Sequence, residues 1–154
     1  MDHTNMTTLR TLLIVNVALL ALVGCGDQDL PNTNISGSVH GELFSFVSGT
    51  AESTVDGEYI LTLADDPSHS CTSTPPGNYL TIVITGVAST GSFSAAGNVH
   101  FNRIEDSINH SESATSGSVI IEVLDAETSR RIEGDISASS EGNDVSGVFS
   151  VPIC

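Results

Sequence analysis

Asp65, Asp66, His69 and Ser70 fall within one short segment and carry the groups of a hydrolytic triad: a hydroxyl nucleophile, an imidazole base and a carboxylate to orient it. A triad is a matter of geometry, and neighbours along a chain rarely meet its angles, so the favoured reading of this segment is a polar loop. No Gly-x-Ser-x-Gly elbow, His-Glu-x-x-His helix, Cys-x-x-Cys pair or phosphate-binding glycine loop occurs anywhere. No catalytic residue is assigned and no enzyme is expected; a hydrolase ranks last among the functions weighed. Asp65-Asp66 and Glu141 with Asp144 offer the hard oxygen ligands that calcium prefers. Neither has the Asp-x-Asp-x-Asp-Gly spacing of a dedicated calcium loop, so both are read as solvated acidic surface, and no metal or cofactor is assigned. His40, near a strand end, and His100, alternating with Val99 and Phe101, are read as surface histidines.

The elements that must position these groups are strands. Tyr59, Leu61 and Leu63 alternate with Ile60 and Thr62; Leu80, Ile82 and Ile84 alternate with Thr81, Val83 and Thr85; Val99 and Phe101 alternate with His100 and Asn102. Val119, Ile121 and Val123 form one face, Ile132 and Ile136 flank Glu133 and Asp135, and Val145, Phe149 and Val151 stand opposite Ser146 and Ser150. Asp56-Gly57, Pro75-Pro76-Gly77-Asn78, Ala96-Gly97-Asn98 and Glu141-Gly142-Asn143-Asp144 supply turns between these runs. Only short pieces of 104–116 and 125–130, where polar residues crowd, are candidates for a turn or two of helix. The expectation is an all-β domain of about eight or nine antiparallel strands, beginning near Ile35–Val39 and Leu43–Val47. A β-sandwich is the first choice and a small up-and-down β-barrel the alternative, since both need the same alternation. The phrases Ser36-Gly37-Ser38-Val39, Ser116-Gly117-Ser118-Val119 and Ser146-Gly147-Val148 read as recurrent strand-entry chemistry, not as repeats.

Ahead of the strands, Thr11 to Val23 is an apolar stretch broken only by Asn16, preceded by Arg10 and ended by small residues, the order of a secretory signal. A helix of thirteen residues rises about 20 Å, short of the roughly 30 Å hydrocarbon core, which weakens the reading of an uncleaved membrane span. Leu22-Val23-Gly24-Cys25 then resembles, residue for residue, the lipobox of bacterial lipoprotein precursors. That resemblance implies a diacylglyceryl thioether on Cys25, cleavage after Gly24 and acylation of the new amine. At about 0.8 kcal/mol per buried methylene, three acyl chains hold far more firmly than one. Gly26 rather than Asp follows the cysteine, so the best-known inner-membrane retention signal is absent and the outer membrane, on its periplasmic or surface face, is the expected address.

The organisation is then a signal peptide over 1–24, a lipidated cysteine and tether over 25–34, and a single β domain over 35–154. Removing 24 of the 154 residues leaves 130, with 18 of the 19 acidic residues, three of the four arginines and no lysine. Strong acidity can mark disorder, but Val, Ile, Leu and Phe supply 33 of those 130 residues, about a quarter and enough for a folded core. Carboxylates in such excess repel one another, and salt screens the repulsion. Nucleic acid is disfavoured as a partner because neutralising phosphates takes Lys and Arg. Sugar stacking has little to draw on, with no Trp and only Tyr59 and Tyr79.

The opening Ile35-Ser36-Gly37-Ser38-Val39-His40-Gly41-Glu42-Leu43-Phe44, the leucine strand running to Cys71, and the ending Val145-Ser146-Gly147-Val148-Phe149-Ser150-Val151-Pro152-Ile153-Cys154 resemble the uncharacterised β-rich lipoproteins of Gram-negative bacteria. The resemblance implies fold class and compartment and carries no activity. With Cys25 consumed by lipid in an oxidising compartment, Cys71 and Cys154 are each other's remaining partners and are expected to form a disulfide. The function expected is a non-catalytic envelope lipoprotein, held to the membrane through Cys25 and serving a structural or protein-interaction role. The alternative is a barrel that binds a small apolar ligand, with Leu61, Ile82, Phe101 and Ile121 lining the cavity.

Overall fold

A computed structural model describes residues 33–84 and 89–154. Cys25 and the segment before it, read above as signal and lipid attachment, lie outside the described residues, and so does the side chain of Ile82. Eleven strands and no helix are present among the described residues: β1 Ser36–Val39, β2 Glu42–Ser45, β3 Ser48–Ser53, β4 Tyr59–Ala64, β5 Gly77–Ile84, β6 Gly91–Ser94, β7 Val99–Glu105, β8 Ile108–Ser113, β9 Ser116–Asp125, β10 Arg131–Ser140 and β11 Asn143–Pro152. They form a six-stranded sheet in the order β2-β1-β11-β10-β9-β6 and a five-stranded sheet in the order β3-β4-β5-β7-β8. Every ladder is antiparallel, and the sheets remain two open layers rather than closing into a barrel. The architecture is the expected β-sandwich.

The period-two pattern places its apolar faces as anticipated. Tyr59, Leu61, Leu63, Leu80, Val99 and Phe101 of one sheet meet Val119, Ile121, Ile132, Ile136, Val145, Phe149 and Val151 of the other in a single buried cluster. Leu61 and Phe101 are fully buried and Ile121 is 1% exposed, so these three are packed core rather than the wall of a cavity.

Three differences from the sequence reading have physical causes. The strand count is higher because β3, β6 and β8 carry little apolar alternation; all three lie at sheet edges, where one flank is unpaired and less side-chain burial is required. The segment 104–116 is not helical, since its polar residues form the end of β7, a two-residue turn at Asp106-Ser107 and strand β8; of 125–130, Asp125 ends β9 and the rest is a loop. The register of β9 against β10 slips between Glu133 and Gly134, pairing Glu133 with Val123 but Gly134 with Ile121. The extra residue, Glu122, reverses the alternation beyond it, so Leu124 rather than Val123 packs against the core.

The recurring Ser-Gly phrases mark places where two backbones touch. Gly37 in β1 and Gly117 in β9 hold φ of +151° and +111°, and a Cβ at either would overlap a carbonyl oxygen across the ladder, that of Asp144 and of Ser137 respectively. Any other residue would have to leave this conformation and push the neighbouring strand away. Gly117→Ala is therefore expected to destabilise the fold by roughly 1–3 kcal/mol. Denaturant unfolding measures it, and an unchanged midpoint would contradict the close approach.

Candidate functional site

The long β4–β5 connection, residues 65–76, folds back across the outer face of the five-stranded sheet. Period two puts Thr62 and Thr81 on that face, paired with each other across β4 and β5, while Thr50 of edge strand β3 pairs with Thr62. The connection is tied down at both ends of its path. Ser48 donates its hydroxyl to the Asp66 carbonyl at 2.6 Å, and the His69 ring stands between Thr50 Oγ1, 3.0 Å from Nε2, and the Ser73 carbonyl, 2.9 Å from Nδ1. A carbonyl only accepts, so Nδ1 donates to Ser73, and Nε2 shares a hydrogen bond with the Thr50 hydroxyl. Thr50 is only 4% exposed beneath this contact.

Ser70 Oγ meets Ser73 Oγ at 3.3 Å, and the Asp66 carboxylate takes both the backbone N–H and the hydroxyl of Ser68. Neither the Ser70 hydroxyl nor the Asp66 carboxylate hydrogen-bonds the His69 ring, whose two nitrogens meet Thr50 and Ser73. The hydroxyl that does face the imidazole is buried, whereas a nucleophile must reach its substrate. Here the histidine works as a peg that fastens a loop to a sheet. Thr50 and Ser73 were invisible to sequence reading, because nothing in their spacing shows that the loop doubles back over the edge strand.

Between loop and sheet runs an open groove of about 430 Å³, lined by Glu52, Ile60, Thr62, His69, Tyr79 and Thr81 among others. Hydroxyls dominate its floor. Burial pushes the Tyr79 phenol above its ordinary range, and burial likewise raises Asp65, aided by the neighbouring charges of Asp66 and Glu42 against its own backbone amide. Hydrogen bonds from Ser68 hold Asp66 below the usual carboxylate range. A second concavity of about 450 Å³ lies at one end of the sandwich, beside the β7–β8 hairpin, and includes His40, Arg103, Glu105, His110 and Glu112. His40 Nε2 is 3.1 Å from the Phe101 carbonyl, and Arg103 bridges the sheets to Glu42 at 3.0 Å while also meeting Glu105 at 3.6 Å. His100, on the outer face, pairs its Nδ1 with Ser113 Oγ at 3.1 Å.

Among the described residues no three His, Cys, Asp or Glu side chains converge closely enough to hold a metal ion. Glu141 and Asp144 flank the β10–β11 turn, where Gly142 holds φ of +77° and Asn143 ties the turn to Glu112 at 3.0 Å. Among the described residues no helix is long and apolar enough to cross a membrane. Comparison of the chain with protein-family models, with curated proteins and with solved structures finds no match.

Cys71, in the same loop, lies at disulfide distance from Cys154, with Cα atoms 5.7 Å apart. The pair anchors the segment that follows β11. Ile153 bridges Ala51 of β3 in parallel, Cys154 N donates to the Ala51 carbonyl at 2.8 Å, and Arg130 Nη2 donates to the Cys154 carbonyl at 2.9 Å. Closing a separation of 83 residues restricts the unfolded chain by roughly 4–5 kcal/mol in the loop-entropy model. Replacing both cysteines by serine should lower unfolding stability by up to about that amount. Exchange of the Cys154 amide should accelerate in that variant before exchange in the core strands does. Unchanged stability, or both cysteines recovered as free thiols on non-reducing peptide mapping, would overturn the bridge.

Asp125, at the end of β9, has the most heavily hydrogen-bonded carboxylate described. It accepts from the backbone N–H groups of Glu127, Thr128 and Ser129 and from the Ser129 hydroxyl, at 2.8–3.1 Å. The Thr128 and Ser129 amides lead in holding its pKa down to about 2, from 3.8. Because the folded value is depressed, this contribution to the β9–β10 connection is complete above pH 4 and fades as pH falls from about 4 through about 2. An NMR titration should place the Asp125 midpoint near 2, and a midpoint near 3.8 would rule the cage out.

Proposed function

We propose that this chain is a non-catalytic envelope lipoprotein, anchored through acylated Cys25 and serving by presenting the surface of its β-sandwich to another envelope component. The observation that carries the reading is the spent chemistry of the 65–76 loop: its imidazole, the Asp66 carboxylate and its serine hydroxyls are paired with one another, with the loop backbone or with buried Thr50, and serve to fasten the loop. The packed interior supports this role over the alternative of a barrel around a small apolar ligand, since Leu61, Phe101 and Ile121 fill the space between two open sheets. The lipobox, Leu22-Val23-Gly24-Cys25, supports the anchor and an outer-membrane address. Arg103, Arg130 and Arg131, all engaged with carboxylates or a carbonyl, support the exclusion of nucleic acid.

Mass spectrometry of the protein from envelope fractions tests the anchor. The N-terminal peptide should begin at Cys25 and carry acyl mass, the protein should partition into detergent, and Cys25→Ser should accumulate as unprocessed precursor. An unmodified Cys25 peptide from the envelope would overturn the assignment.

A further inference from the structure

The two sheets have four edges, and they are treated differently. On β3, the side away from β4 is occupied at Ala51 by Ile153 and Cys154. Strands β2 and β6 are four residues each. Strand β8 runs for six residues, Ile108–Ser113, and among the described residues pairs only with β7. Its side chains are exposed except for half-buried Glu112, with Ile108 59% exposed; Glu112 is its one acidic side chain, and it has no Pro, no Lys and no bulge in its ladder.

Which backbone groups this edge presents follows from the register. Ala114 N donates to the Val99 carbonyl at 2.8 Å, so Ala114 points its amide toward β7. In an antiparallel strand both backbone groups of a residue point the same way and alternate along the chain. Ile108, His110 and Glu112 therefore share the inward direction, and Asn109, Ser111 and Ser113 turn their N–H and C=O outward. Six backbone groups stand along roughly 20 Å of edge.

Charge selects what can pair there. Glu105 and Asp106 precede the strand and Glu112 lies within it, and the Arg103 of the paired strand is held by Glu42 and Glu105. A second copy would bring the same carboxylates and a formal net charge of −15 on each partner, so self-pairing is opposed. A basic strand meets no such barrier, and the concavity containing Glu105, His110 and Glu112 lies directly beside this edge.

We propose that the β8 edge is a docking surface for an extended, basic segment of a partner protein, which adds a sixth strand to the five-stranded sheet by main-chain pairing with Asn109, Ser111 and Ser113. This rests on the protein-interaction reading above and names its surface and partner chemistry.

Hydrogen exchange with two blocked synthetic peptides, one alternating valine with lysine and one alternating valine with glutamate, tests it on the intact oxidised chain. The lysine peptide should protect the amides of Asn109, Ser111 and Ser113 and leave those of Ile108, His110 and Glu112 unchanged. The glutamate peptide should protect none of them, and added salt should weaken the lysine complex. Ser111→Pro removes one outward N–H at a position where an edge strand tolerates proline, and should weaken binding by about tenfold or more. Should that variant not fold, Ser111→Lys sets a like charge against the peptide and should weaken it similarly. Equal binding of the two peptides, protection at β2 or β6 instead, or unaltered affinity in both variants would overturn the proposal. Alternating protection that grows with protein concentration in the absence of peptide would replace the basic partner by a second copy. None of these results bears on acylation of Cys25, so this edge can fail while the anchored, non-catalytic reading stands.

Discussion

The hydrogen bond from Cys154 N to the Ala51 carbonyl, at 2.8 Å, joins two sheets that share no strand ladder among the described residues. Much of the molecule's organisation depends on this crossing. Strand β11 lies between β1 and β10 in the six-stranded sheet, yet the residues just past it reach the edge of the five-stranded one. There Ile153 covers β3 and Cys154 meets Cys71, so the same few residues close a sheet edge, fasten the 65–76 loop and seal one margin of the core. Arg130, just before β10, completes the junction by donating to the Cys154 carbonyl while its own carbonyl accepts from Ile153 N at 2.7 Å. Without the crossing, contact between the layers would rest on side-chain packing, the Glu42–Arg103 pair and a few bonds at the strand ends.

The loop that lies over the outer face is built on this junction. His69 fixes its middle against Thr50, and Thr50 sits on β3, the strand whose far side is covered by the segment after β11. Loop and strand therefore hold one another in place: β3 gains a cover on its outer face and a partner along its edge, and the loop gains a floor. The imidazole and hydroxyls of the loop take part in this fastening. Short polar side chains and an imidazole are what a loop needs to satisfy backbone groups while crossing a polar sheet face.

The fold was readable where burial is two-sided. Strands β4, β7, β10 and β11, flanked on both sides, announce themselves by alternation because every second side chain must enter the core. The edge strands β3, β6 and β8 read as Ser-Gly-Thr-Ala-Glu-Ser, Gly-Ser-Phe-Ser and Ile-Asn-His-Ser-Glu-Ser, which resemble loops because pairing on one side alone imposes a weaker pattern. The bulge at Glu122 is equally silent in sequence, since Val123 and Leu124 are both apolar and only the ladder decides which faces inward. Of the candidate site, the polar character of 65–76 and the pairing of Cys71 with Cys154 were legible. The approach of Thr50 to His69 was not, because it depends on where a long connection lands after the sheet has formed.

The distribution of charge follows from the same geometry. Over the described residues three arginines stand against 16 acidic residues, and each is placed where it stabilises a junction rather than spread over the surface. Arg103 links the layers through Glu42, Arg130 holds the crossing at Cys154, and Arg131 meets Glu133 beside the bulge at 2.9 Å. Cations so committed cannot offset the remaining carboxylates, so the excess negative charge is left on the outer faces and open edges. A surface of that kind opposes the approach of like-charged chains, its own copies included, and favours basic segments electrostatically.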